Sequence, residues 1–254
     1  MSEAVARLLD EAAAAPVSGW DFAWGSGRIT TMSTLPWDFT GLAADALHAA
    51  AVALDMGTGG GEFLSGFPGL PARMVATESW PPNVRIAADR LAKRGVPVIH
   101  CEGAADNALQ AGGGAGRLPF RDGAFDFVLN RHEAFAAAEV ARVLAPGGRF
   151  LTQQAGSARD QFHALLGLDP PARPAFDLDL LVGQVVRAGL AVERAEVGRD
   201  AVRFADVGAL AWYLRMIPWA VPGFDVTAHR AALESAAGRD LLVYQDRFLL
   251  SCRR

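Results

Sequence analysis

Residues 51–62 read AVALDMGTGGGE, an apolar run that reaches an acid at Asp55 and then breaks into glycines at 57, 59, 60 and 61. The run is too short for a helix and suits a strand buried on both faces. A glycine-rich turn directly after it lets backbone come close to a ligand with no side chain in the way.

Working outward, RMVAT (73–77), VPVIH (96–100), FDFVLN (125–130) and GRFLTQQ (148–154) repeat the short, bounded apolar pattern. Helical periodicity lies between them. PPNVRIAADRLAKRG opens with prolines suited to a first turn and stops at Gly95, and EAFAAAEVARVL (133–144) offers Phe135, Val140, Val143 and Leu144 to a core. Strand alternating with helix predicts a doubly wound α/β fold, with a mainly parallel, seven-stranded sheet and helices on both faces. The later segments FDLDLLVGQVVRAGLAVERAEV and QDRFLLSCRR supply the sixth and seventh strands. The whole of 1–254 is expected to be one domain. Residues 1–45 would form a helical and aromatic cap, 46–155 the ligand-binding half, and 156–254 a substrate-side insertion with the last strands.

The bulk numbers narrow the class. Of 254 residues, 51% are hydrophobic and 20% charged, and the net charge is −4. That composition predicts a folded globular chain and argues against the basic field that grips nucleic acid. Cys101 and Cys252 form no metal or redox motif, and the five histidines have no ligand spacing, so no metal is expected. The opening MSEAVARLLDEAAAA is acidic and amphipathic, unlike a secretory leader, and no apolar run is long enough to span a membrane. A cytoplasmic setting is expected.

The spacing G-x-G-x-G at 57, 59 and 61 fits two ligand classes, a dinucleotide and S-adenosylmethionine. In dinucleotide sites the pyrophosphate rests on a helix N-terminus. Here Glu62 holds the sixth position of the motif and Asp55 precedes it. Two acids repel a pyrophosphate but suit a ligand that carries a sulfonium and an ammonium, so charge favours S-adenosylmethionine. Glu78 closes the second strand, where a carboxylate can accept hydrogen bonds from both ribose hydroxyls; either ligand uses that device.

Taken in order, LDMGTGGGEFL, VATES, LPFRDGAFDFVLN and EVARVLAPGGRFLTQQ resemble the class I, seven-stranded S-adenosylmethionine-dependent methyltransferases, in the group called type 11. The similarity covers roughly residues 50–155. It implies S-adenosylmethionine as cofactor, with Asp55, Gly57 and Gly59 on the methionine portion and Glu78 on the ribose. It sets CEGAADN (101–107) against the adenine, with Gly103, Ala104 and Asp106 as candidates. A glycine-rich insertion separates Asp106 from Leu118, which departs from the family pattern. Thr58, Ser79 and Asn130 complete the candidate cofactor set.

The reacting groups are expected beyond the carboxyl ends of the strands. There the fourth strand ends in NRHEAF (130–135). Methyl transfer to oxygen or nitrogen needs an aligned nucleophile, exclusion of water and often an acceptor for a proton. His132 is the candidate base, with Glu133 orienting it or touching the substrate. Trp20, Trp24 and Trp37 could cover the cofactor, and Trp212, Tyr213, Met216 and Trp219 could line an apolar chamber; for each alone, ordinary packing is the stronger reading. The expected partner is a small-molecule acceptor, with no membrane and no nucleic acid; a homodimer stays open. The alternatives are a nucleic-acid methyltransferase, a protein that binds S-adenosylmethionine without methyl transfer, and a nicotinamide oxidoreductase.

Overall fold

The computed structural model describes residues 3–17, 20–33, 35–104, 116–156, 158–169 and 176–254. In chain order the strands are β1 (Ile29–Ser33), β2 (Val52–Met56), β3 (Arg73–Glu78), β4 (Val98–His100), β5 (Phe125–Arg131), β6 (Leu144–Ala155), β7 (Ala191–Phe204) and β8 (Leu242–Arg253). The helices are α1 (Glu3–Ala14), α2 (Phe39–Ala49), α3 (Glu62–Ser65), α4 (Pro81–Ala92), α5 (Ala137–Val143), α6 (Arg159–Leu166), α7 (Leu178–Arg187), α8 (Val207–Met216) and α9 (Arg230–Ala236).

Among the described residues the sheet has eight strands in the order β1-β7-β8-β6-β5-β2-β3-β4 and is mixed. The β2/β3, β2/β5, β3/β4 and β5/β6 pairs are parallel, while β6/β8 and β1/β7 are antiparallel. This corrects the expected count of seven strands, while most of the pairs named are parallel. The added strand, β1, lies in the aromatic N-terminal segment and pairs from Ile29↔Phe204 to Ser33↔Asp200. Its partner is far away in sequence, and strand preference depends on such a partner more than on local composition.

The chain divides into two compact units. One comprises residues 36–155, 175–198 and 247–254 and holds the glycine turn. Its core includes Leu54, Val128, Phe135, Val140, Phe150 and Leu181, with the Phe135 and Phe150 rings edge to face at 4.9 Å. Asp126 fixes the entry to β2 by accepting the Ala51 and Val52 N–H groups at 3.0 and 3.1 Å. In α4, Ala87 and Leu91 turn inward. Helix α5 is shorter than its periodicity predicts. Residues 133–136 stay out of it because the chain leaving β5 turns sharply at His132, where φ is 66°.

The other unit comprises residues 1–35, 156–174 and 199–246. Its core gathers Leu9, Phe162, Phe204, Leu210, Trp212 and Leu233. Trp212 is fully buried; its ring lies 5.2 Å from that of Trp24, and its indole N–H donates to the Pro16 carbonyl at 3.0 Å. Met216 is buried too. Trp212 and Met216 are therefore packing residues of this core. Trp20 meets Trp219 edge-on at 5.5 Å, and both keep more than a third of their surface exposed.

Candidate functional site

After β2 the backbone takes left-handed conformations at Gly57, Gly59 and Gly61, with φ of 75°, 63° and 79°. A residue with a Cβ is strained there by about 1–2 kcal/mol. The turn is stitched to the end of β3. The Gly57 and Thr58 N–H groups both donate to the Thr77 carbonyl, at 3.1 and 2.9 Å. Glu78 accepts the Gly59 N–H at 2.7 Å with one carboxylate oxygen and the Trp80 N–H at 2.8 Å with the other. The Thr58 hydroxyl is buried and makes no hydrogen bond. Glu62 pairs with Arg90, which also donates to the Gly60 carbonyl. Its charge is thus compensated, and the acidity of the site comes from elsewhere.

That acidity comes from Asp55, Glu78 and Glu133. Asp55 is 3% exposed, and burial together with the charge of Glu78 pushes its carboxyl up to about 6. The neighbouring Thr58 hydroxyl, short of a full hydrogen bond, and Arg131 offset part of that rise. Burial also raises Glu78, and its backbone N–H donors oppose the rise. Glu133 is pushed up to about 7 by burial and by Glu78, although the Ser79 hydroxyl donates to it at 3.0 Å. Glu133 lies across two glycines. A Cβ on Gly57 would fall 2.3 Å from the Glu133 Cβ, and one on Gly103 would fall 2.5 Å from its carboxylate oxygen. Gly57, Ser79, Gly103, Ala104 and Glu133 line one narrow cleft.

Beside it, Arg131 and His132 are exposed at the end of β5. The Arg131 guanidinium lies over the Phe63 ring, 4.6 Å from its centre. The His132 N–H donates to the Gln153 carbonyl at 2.9 Å, and its Nε2 lies 3.5 Å from the Gln153 side-chain nitrogen. The ring is crowded by protein despite its open edge. That desolvation, with Arg247 and Arg131 nearby, holds its pKa well below the usual histidine value.

Residues 54–152 match the family described as "Methyltransferase domain", type 11. The likeness to that family lies in this segment. No curated protein matches the chain in sequence. Among solved structures it is similar to YcgJ of Bacillus subtilis, at 17% identity and a TM-score of 0.59 over 85% of this chain and 97% of that one. It is also similar to a candidate methyltransferase of Bacillus halodurans C-125, at 19% and 0.56 over 83% and 97%. A protein of unknown function from Deinococcus radiodurans R1 matches at 16% and 0.55 over 99% of both chains. At such identities the likeness is one of fold.

The structure brings Asp55, Gly57, Thr58, Gly59, Glu78, Ser79, Gly103, Ala104 and Glu133 together at the carboxyl ends of β2, β3, β4 and β5. Asp106 lies outside the described residues. The Asn130 side chain is fully buried beneath the turn; it donates to the Met56 carbonyl at 3.1 Å and accepts from Thr152 and Gln154 at 2.7 and 2.6 Å. Glu133 keeps company with Ser79 and the glycines, while Gln153 holds His132. Sequence reading missed Thr152, Gln153 and Gln154. A run of uncharged polar residues inside a buried strand is the available signal, because such groups are costly unless hydrogen-bonded.

Proposed function

We propose that the chain transfers a methyl group from S-adenosylmethionine to an oxygen or nitrogen of a small organic molecule. The observation that carries this reading is the crowding of Asp55, Glu78 and Glu133 around a turn whose glycines leave backbone bare. Two of these carboxyls are pushed up to about 6 and 7. Such a cluster favours a cationic ligand and opposes a pyrophosphate. The residues fit the group in other respects: left-handed glycines form the cradle, and the buried Thr58 hydroxyl beside Asp55 makes no full hydrogen bond.

Bound there, S-adenosylmethionine supplies a methyl group made electrophilic by the sulfonium. Asp55, Gly57, Thr58 and Gly59 would hold the methionine portion. Glu78 would hold the ribose, since its two oxygens, held by backbone N–H groups, keep lone pairs to offer. Ser79, Gly103 and Ala104 would border the adenosine. Glu133 joins the cofactor side as a counter-charge, and Arg131 and His132 border the acceptor. A small acceptor is favoured over nucleic acid by the net charge of −4. Among the described residues no helix is long and apolar enough to cross a membrane. A cytoplasmic setting belongs to the same proposal and rests on the sequence alone.

Calorimetric titration with S-adenosylmethionine, S-adenosylhomocysteine and NADH tests it, with Glu78→Ala as the variant. Binding of both adenosyl ligands, weakened by the substitution, is expected. Binding of NADH instead, or of none of the three, would sink the reading. Formation of S-adenosylhomocysteine in an acceptor screen separates an enzyme from a binding protein.

A further inference from the structure

The least ordinary residue in the described chain is His132. It is the only non-glycine among the described residues with a left-handed φ, 66°. Conformations of that kind persist where surrounding structure imposes them, and they gather at working sites. Gln153 imposes this one. Its backbone carbonyl accepts the His132 N–H at 2.9 Å, and its side-chain nitrogen faces the ring Nε2 at 3.5 Å.

Trp37 decides which end of the Gln153 amide faces the ring. The Trp37 indole N–H donates to Gln153 Oε1 at 2.8 Å, and both side chains are buried. An indole nitrogen can only donate, so the oxygen end of the amide must face Trp37. The NH2 end, which also only donates, is then left toward His132. The ring nitrogen opposite it must carry a lone pair, and the ring proton goes to Nδ1.

The charges around the ring point the same way. Strand register pairs Arg131 with Gln153 and Arg247 with Ala155, so Arg131, Gln153 and Arg247 share one face of the sheet. Asp55, paired with Leu129, lies on that face too. Both arginines oppose a second proton on the ring, and Arg131, whose charge Asp55 meets in part, favours a negative group beside it. The nearest carboxylate in sequence, that of Glu133, is engaged by Ser79.

We propose that Trp37 and Gln153 are positioning residues that hold His132 neutral with its proton on Nδ1, so that it meets the acceptor as a hydrogen-bond donor and the acceptor's nucleophile is a carboxylate oxygen. This rests on the methyl-transfer reading. A hydroxyl nucleophile gives up its proton to a base as it is methylated, and the one free lone pair of this ring faces an NH2 group. A carboxylate needs none. The carboxylate oxygen forms the O–CH3 bond, the methyl–sulfur bond breaks, and its electron pair stays on sulfur. A neutral ester and a neutral thioether result, and no proton moves.

Imidazole NMR of histidine-labelled full-length protein tests the arrangement without any cofactor. The expected result is Nδ1–H for His132 near neutral pH. Gln153→Glu places an acceptor opposite Nε2; it should switch the tautomer to Nε2–H and raise the titration by about one pH unit or more. Nε2–H in the wild-type protein would overturn the proposal, and that reading stands even where a variant folds poorly. An unchanged tautomer in folded Gln153→Glu would overturn it too. For the acceptor, sodium benzoate and benzyl alcohol are titrated with S-adenosylhomocysteine present. Benzoate should perturb His132, with an affinity reduced about fivefold or more in Arg131→Gln. An equal response to both compounds, or to neither, would overturn the carboxylate assignment. Failure of S-adenosylmethionine to bind, with the tautomer as expected, would remove the methyl-transfer reading and the carboxylate nucleophile with it, leaving only the positioning of His132 by Trp37 and Gln153.

Discussion

Glu78 holds Gly59 by a 2.7 Å hydrogen bond from the glycine N–H to its carboxylate, so the end of β3 sets the shape of the turn that follows β2. The carboxylate that would meet the cofactor is also a brace of the cradle.

Glu78→Ala should therefore lose two things at once. The Gly59 and Trp80 N–H groups lose their acceptor, which should cost about 1–3 kcal/mol of stability. Binding of S-adenosylmethionine should weaken by about tenfold or more. Urea denaturation and calorimetry on the same preparation separate the two effects. Normal stability with lost binding would show that the brace is dispensable.

Two glycines with the same backbone angle make a contrast. Gly57 and Gly27 both have φ of 75°, but a Cβ on Gly27 meets nothing within 4 Å, whereas one on Gly57 collides with Glu133. Gly27→Ala should cost only the left-handed strain, about 1–2 kcal/mol. Gly57→Ala should cost more and abolish cofactor binding. Equal melting temperatures for the two variants would contradict the close approach of Glu133.

The carboxyls of Glu133 and Asp55 are pushed up to about 7 and about 6, above the value of about 4 that they have in an unfolded chain. Between those values the folded state holds more protons than the unfolded one. Stability should accordingly fall as pH rises from about 4 through about 7 and level off above that. A cationic ligand favours the ionised carboxyls, so affinity for S-adenosylmethionine should rise about tenfold or more from about pH 5.5 to about pH 8. Proton release on binding, measured near pH 6.5 in buffers of different ionisation enthalpy, checks the sign. Glu133→Gln should flatten the profile.

Asn130 anchors β5 to both neighbours, through the Met56 carbonyl on β2 and through Thr152 and Gln154 on β6. Asn130→Ala leaves these buried groups short of partners and should lower stability by about 2–4 kcal/mol. The denaturation midpoint reads it. A change under about 0.5 kcal/mol would mean that the network contributes little.

Much of this was legible in the sequence. AVALD, RMVAT and FDFVLN are strands, with the ends of β2 and β3 within a residue or so of their predicted places. Asp55, the glycines and Glu78 meet as their order implies, because a short apolar run followed by a glycine turn is a local statement and needs no distant partner. Strand β1 was not legible, since its pairing depends on β7. The charge argument from Glu62 also read differently in three dimensions, because Arg90 neutralises it.

The sequence by itself determined the kind of fold and the cradle, through periodicity, turn chemistry and the placing of acids. Only the tertiary structure decided what Glu133 and His132 do. Adjacent in the chain, they part because the backbone turns left-handed at His132, which leaves Glu133 over Gly57 and the imidazole against Gln153. The proton on that ring depends on a hydrogen bond from Trp37, more than a hundred residues before Gln153. Local patterns report which residues share a strand or a helix. They do not report which donors and acceptors from distant segments meet at one side chain, and it is those contacts that fix a tautomer and a charge.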